Sequence, residues 1–121
     1  FNIMINYHKT ADNKMIAELV DDSFIIKETQ DAVDLLGESV SNDCSRIIIY
    51  EKNLHPDFFD LKTRLAGEIL QKFSNYHVKL AIVGDFSRFA SKSLRDFIYE
   101  SNKGNLIFFT DNIKNALKKL S

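Results

Sequence analysis

The sequence predicts an α/β fold: a mixed, mainly parallel sheet of about five strands carrying about four helices. Two observations carry that reading. The short apolar runs "SRIIIYE", "VKLAIVG" and "NLIFFT" alternate with longer segments of helical period, the signature of right-handed βαβ units. Ahead of them, "NIMINYHK" and "MIAELV" are extended runs joined by the polar turn "TADNK", a hairpin that makes the sheet mixed. All 121 residues read as one domain, because this length builds one core and not two.

In chain order, "DDS" is a second turn after the hairpin, and "FIIKE" is a short third strand or an extension of the second. "TQDAVDLLGESVS" switches to helical spacing, with Thr29 as N-cap and Ala32, Leu35, Leu36 and Val40 on one face. A buried strand, "SRIIIYE", follows. The stretch 58–74 is a helix with Pro56 in its first turn, where a missing N–H costs nothing. "VKLAIVG" is a strand ending at Gly84, and "SLRDFIYESNKG" is a helix capped by Ser91 and closed near Gly104. "NLIFFT" is the last strand. "DNIKNALKKL" is the last helix, capped by Thr110 or Asp111, with lysines in its final turn where they suit the helix dipole.

Central strands of a doubly wound sheet are apolar on both faces, whereas Glu18 and Lys79 indicate one partly wet face. Helices are therefore expected mostly on one side. The other face would expose alternate Ile and Phe side chains, to be covered by a second copy in a homodimer or by the folded-over hairpin.

Charge and composition narrow the function classes. The 16 basic and 17 acidic residues are interspersed, so no basic stripe exists to neutralise phosphates and nucleic acid is not an expected partner. The lone Cys44 allows no internal disulfide and is no metal site by itself; it fits a reducing cytoplasm. No apolar run is long enough for a membrane span, and no signal-peptide pattern opens the chain. With Phe1 at the start, either Met4 is the natural first residue and residues 1–3 are added or disordered, or the sequence begins inside a longer protein.

On a helical wheel begun at Phe58, the apolar residues of 58–74 cover one half continuously, while Asp60, Arg64, Glu68 and Lys72 form an i, i+4 row of alternating sign. Two residues stand out. Lys62 falls inside the apolar arc, so it must reach solvent or pair with an acid, Glu51 or Asp85. Gly67 lies on the outer face with Thr63 and Ser74, a smooth patch or an indifferent surface glycine.

A parallel sheet collects Glu51, His55, Asp85, Ser87, Arg88 and Asp111 at its carboxyl edge, where open α/β sheets bind ligands. His55 with Asp85 could act as an acid–base pair, and Arg88 or Lys62 could hold an anion. Against this, polar residues gather at strand ends in every α/β protein, and an aspartate after glycine is commonly a turn residue. No dinucleotide, Walker, nucleophile-elbow or H-E-x-x-H motif occurs, and no cofactor is implied.

The residues "FFDLKTRLAGEILQKFSNY", "LAIVGDFS" and "SKSLRDFIYESN" resemble a bacterial domain family of unknown function over residues 16–120. That resemblance implies no activity. More distantly, the order of elements resembles the STAS domains, the anti-sigma factor antagonists. Those carry a phosphorylated serine or threonine between a strand and its helix; here the loop "EKNLHPDFFD" holds no hydroxyl, and Thr63 comes later. What this resemblance implies is a docking face made of His55, Asp57, Asp60 and Arg64, with Asp85 and Arg88 beside it.

Two functions are thus expected. One is a non-enzymatic cytoplasmic regulatory domain that binds an unknown protein partner. The other is a small-molecule-binding or enzymatic domain using a strand-edge pocket around Lys62, His55 and Asp85. An apolar pocket closed beneath Phe86 and Phe89, with Lys62 pointing in, favours the second.

Overall fold

A computed structural model describes residues 3–121. Strands β1 (Ile5–Lys9), β2 (Met15–Leu19), β3 (Arg46–Tyr50), β4 (Lys79–Val83) and β5 (Ile107–Thr110) form one sheet in sequence order. β1 pairs antiparallel to β2, and every other pairing is parallel. The helices are α1 (Thr29–Ser41), α2 (Leu65–Asn75), α3 (Lys92–Lys103) and α4 (Ile113–Leu120). The predicted mixed sheet with an opening hairpin is therefore the one observed.

The hairpin closes where "TADNK" allows it. Asn13 takes a left-handed backbone (φ 70°), which asparagine tolerates, and the Thr10 and Lys14 backbones close the turn at 2.8 Å. "FIIKE" does not become a strand. Ile26 makes a single parallel bridge to Leu54, because the buried Asn53 amide donates to the Asp21 and Phe24 carbonyls and holds these two loops edge to edge.

Each crossover steps the same way across the sheet, so right-handed connections place α1, α2 and α3 on one face. Ala32, Leu35, Leu36, Ile69 and Phe73 bury there against Ile47, Ile49, Leu80 and Ile82, with Phe97 of α3 packed alongside. In α1 the buried stripe is 32, 35, 36 and 39, the i, i+3, i+4, i+7 set. Val40, expected on that face, lies on the solvent side at 45% exposure.

The open apolar second face does not exist. α4 lies across it and buries Ala116 and Leu120 against Ile48, Ala81, Val83 and Phe108. This removes the argument for a homodimer through that face, and the hairpin stays in the plane of the sheet as its edge. The expectation that residues 1–3 are added or disordered falls, for Phe1 and Asn2, outside the described residues. Ile3 packs partly buried against the main core.

Two caps also differ from expectation. α1 begins after Glu28, whose backbone is extended and whose N–H, with that of Lys27, donates to the Asp31 carboxylate. α4 is capped by Asn112, whose side chain accepts from the Asn115 N–H at 2.8 Å. Ser91 caps α3 as predicted, accepting from the Leu94 N–H at 3.2 Å.

The largest departure lies in 56–64. The helix predicted over 58–74 begins only at Leu65. Before it come two 3₁₀ turns, Pro56–Phe59 and Leu61–Thr63, and then Arg64 in the left-handed region (φ 67°). Short polar side chains compete with the helix for its own backbone here. Asp60 accepts from the Lys62 N–H, and the Thr63 hydroxyl contacts the Asp57 and Asp60 carbonyls at 2.6 and 2.8 Å. The helical wheel begun at Phe58 thus spans a break in the chain at Arg64, which is why Lys62 does not sit in the apolar arc.

Candidate functional site at the carboxyl edge

The ends of β3, β4 and β5 carry the loops that define this edge. At the β4 end, Gly84 lets another side chain come close. A Cβ built there would stand 2.7 Å from both Cβ and Oε1 of Glu51 and 3.2 Å from the Phe86 ring. Glu51 is thereby held against the 84–91 loop, where the Arg88 guanidinium donates to its Oε2. Arg88 also donates to the Asp85 carbonyl at 3.0 Å and lies 4.4 Å from the centre of the Phe89 ring. Gly84→Ala is expected to lower stability by on the order of 1 kcal/mol through overpacking. Denaturant unfolding measures it, and an unchanged midpoint would contradict the close approach.

Aromatic rings fill the space beneath this ion pair. Phe59 stacks on Phe89 at 4.8 Å and lies 6.0 Å from Phe86, which meets Phe109 edge-on at 5.2 Å. Above them, Glu51, Lys52, Leu54, Pro56, Phe59, Arg88 and Phe89 line an open cleft of about 470 Å³. On the other side of the loop, Asp85, Ser87, Asp111 and Lys119 belong to a separate open cleft of about 490 Å³.

The residues singled out in the sequence are mostly occupied locally. His55 Nδ1 accepts from the Asp57 N–H at 3.0 Å, capping the 3₁₀ turn, and lies 3.6 Å from the Asp57 carboxylate. Asp85 accepts from the Ser87 hydroxyl at 2.6 Å and from the Ser87 N–H at 3.1 Å. Those Ser87 bonds hold the Asp85 carboxyl below the usual carboxylate range, the wrong direction for a general base at neutral pH. The expected His55–Asp85 pair is replaced by these two local ones. Glu51 takes Arg88 as its cation rather than Lys62.

Lys62, Arg64, Asp57, Asp60, Asp85 and Arg88 are all exposed. Lys62 makes no ion pair among the described residues; it lines an open cleft of about 400 Å³ with Phe59, Asp60, Ser91 and Ser93. Of the two alternatives for this lysine, the head in solvent is the one observed. Lys62→Met is expected to change stability by no more than about 0.5 kcal/mol; a loss several times larger in urea unfolding would reveal a partner.

A further polar cluster, which sequence reasoning missed as a cluster, ties β1, β2 and β3 together on the second face. The buried Glu18 accepts from the Tyr50 hydroxyl at 2.5 Å and lies 2.7 Å from His8 Nε2. Burial alone would raise the Glu18 carboxyl, but the hydrogen bonds from Tyr50 and His8 hold it below its ordinary value. Burial and the Glu18 carboxylate push the Tyr50 phenol up to about 12.

Compared with known families, residues 11–120 match the family described as "Domain of unknown function (DUF4180)". The chain belongs to this family. The match spans the three clefts of the carboxyl edge and, of the polar cluster, Glu18 and Tyr50 but not His8. No curated protein and no solved structure matches this DUF4180 chain. Among the described residues there is no helix long and apolar enough to cross a membrane, and no group of three or more His, Cys, Asp or Glu side chains placed to hold a metal ion.

Proposed function

We propose that this chain is a non-enzymatic regulatory domain that docks a protein partner in the bacterial cytoplasm through the carboxyl edge of its sheet. The supporting observation is that Phe59, Phe86, Phe89 and Phe109 pack on one another, so this edge presents open clefts and not an apolar pocket closed beneath Phe86 and Phe89. The polar residues around them form a rim of both signs on an open surface: Asp57, Asp60, Lys62, Arg64, Asp85 and Arg88. Rim charges of this kind steer encounter and fix register more than they add affinity. The pocket-based alternative requires Lys62, His55 and Asp85 to converge; His55 and Asp85 are engaged locally, and Lys62 and Asp85 line different clefts, which opposes it. The STAS-like reading adds the same use of the β3–α2 loop as a docking face and rests on element order alone.

The test is affinity capture from the native cell, run in parallel with wild type and a Lys62→Glu/Arg64→Glu variant that circular dichroism shows to be folded. The expected result is a saturable partner whose recovery falls by about tenfold or more with the variant, since like charges across an interface repel. A partner retained equally by both proteins overturns the assignment of this edge. So does a small-molecule substrate turned over by wild type and lost in Lys62→Met.

A further inference from the structure

We propose that the free edge of β1 pairs with β1 of a second copy of this chain, antiparallel and centred on Tyr7, joining two sheets into one. The pairing uses neither the carboxyl edge nor the second face, and it does not depend on the docking function.

The register of the hairpin decides which backbone groups are free. The Val20 N–H donates to the Met4 carbonyl at 3.0 Å and the Thr10 N–H to the Lys14 carbonyl at 2.8 Å, so Met4, Asn6, His8 and Thr10 are the residues that turn their backbone groups towards β2. Ile5, Tyr7 and Lys9 turn their N–H and C=O groups the other way, where nothing among the described residues meets them. No residue of β1 is buried, whereas four of the five in β2 are. Ile5 and Tyr7 pack partly buried against the main core, which holds this edge in place.

The opposite edge of the sheet is closed. In β5 the Phe109 N–H donates to the Asn102 side chain at 2.7 Å, and the Asn102 amide donates back to the Phe109 carbonyl at 3.2 Å. One side chain of α3 thus occupies the outward groups in mid-strand, which keeps another strand from pairing there. β1 has no such cover: it contains no proline, runs in unbroken register with β2, and has no side chain on its outward groups.

The strand fits its own copy. A two-fold axis at Tyr7 sets Tyr7 against Tyr7 and Ile5 against Lys9 of the second copy, and each such pair exchanges two N–H···O bonds. Every other two-fold register leaves one end of the strand unpaired, and one centred on Lys9 opposes two lysines. Between the bonded pairs, Asn6 meets His8 of the second copy with Cα atoms about 4.5 Å apart. His8 Nε2 is engaged by Glu18, and its Nδ1 has no partner among the described residues, so it can accept from the Asn6 amide. Such an isologous pair closes on itself, and the blocked β5 edges prevent growth beyond a dimer.

The test is sedimentation equilibrium of the whole chain at neutral pH from about 20 µM to about 1 mM, with backbone amide exchange followed by NMR at both ends of the range. Expected is a monomer–dimer equilibrium with a dissociation constant of about 10–100 µM, weak because one strand edge buries less than the roughly 1,200 Å² of a standard interface. The Ile5, Tyr7 and Lys9 amides should exchange several-fold more slowly at the high concentration, whereas those of Asn6 and His8 exchange slowly at both. Lys9→Pro removes one outward donor and leaves the hairpin bonds intact, since that N–H does not face β2; it should weaken dimerisation by about tenfold or more. A chain that stays monomeric throughout overturns the pairing and leaves the edge to a strand of another protein. A dimer formed equally well by Lys9→Pro, or one in which the three amides exchange as in the monomer, overturns it too, because it uses another surface. The amide readout needs no variant and remains decisive if Lys9→Pro does not fold.

Discussion

Phe58→Ala is expected to lower the unfolding free energy by about 3–5 kcal/mol, the range for removing a fully buried phenylalanine. The reason is specific to where Phe58 sits. It is completely buried, belongs to the main core, and meets Phe59 edge-on at 5.1 Å, yet it lies in a 3₁₀ turn and not in a helix. The 51–64 segment is held by short 3₁₀ turns and by the Asn53 and Ile26 hydrogen bonds, and this side chain is its largest anchor in the main core. Removing the ring leaves a cavity that the surrounding strands cannot close, because Ile47, Ile49, Leu80 and Ile82 are fixed by the β ladder. Urea unfolding with an unchanged m-value checks the number. A cost near 1 kcal/mol would mean that the segment is a surface strap and that the carboxyl edge above it is not rigidly placed. Phe59→Ala, at a half-buried position, should cost clearly less and act mainly by loosening Phe89.

How far the fold was legible depends on which interactions decide each element. β3, β4 and β5 are apolar runs flanked by turn residues, and such strands are specified by local composition. α3 was legible at both ends, because Ser91 and Gly104 are a cap and a stop in the sequence itself. The start of α2 was not. A wheel counts apolar residues but not the hydrogen bonds by which Asp60 and Thr63 draw the backbone away from the helix. Nor was the covering of the second face. The spacing of Ile113, Ala116, Leu117 and Leu120 declares that α4 has an apolar side, but no local feature says which layer receives it.

The candidate site follows the same division. That Glu51, Asp85, Ser87 and Arg88 share one edge follows from parallel topology alone. Which of them pair does not, because Glu51 sits where a Cβ at Gly84 would stand only 2.7 Å from it, a fit that no pattern of residue types declares. The Glu18 cluster lies one step further away. Alternation assigns Glu18 to the second face, but meeting His8 and Tyr50 requires the register of three strands. Asn6 stands directly across from Glu18 on β1, and Ile48 on β3, so His8 and Tyr50 reach it on the diagonals.

That cluster carries the second large expected effect. Tyr50→Phe should lower stability by about 1.5–3 kcal/mol at neutral pH, the range for a hydrogen bond to a charged group, because it leaves the buried Glu18 carboxylate short of a donor. The effect should have pH limits on both sides. Glu18 is held below its ordinary value of 4.5, so its contribution is complete above that value and disappears as the pH falls through the folded-state value. Tyr50 is raised from 10.0 to about 12, so its contribution is complete below 10 and is lost as the pH rises towards 12. The stability difference between wild type and Tyr50→Phe should accordingly form a plateau between these limits and fall away at each end. Urea unfolding across the pH range measures the plateau. Phenolate absorbance provides the independent check: a tyrosine titrating near pH 12 in wild type should be missing in Tyr50→Phe. If the variant instead loses the same stability at every acid pH at which the protein stays folded as at pH 7, the ring contributes by packing against the second-face core, and the bond to Glu18 is not what ties the hairpin to β3.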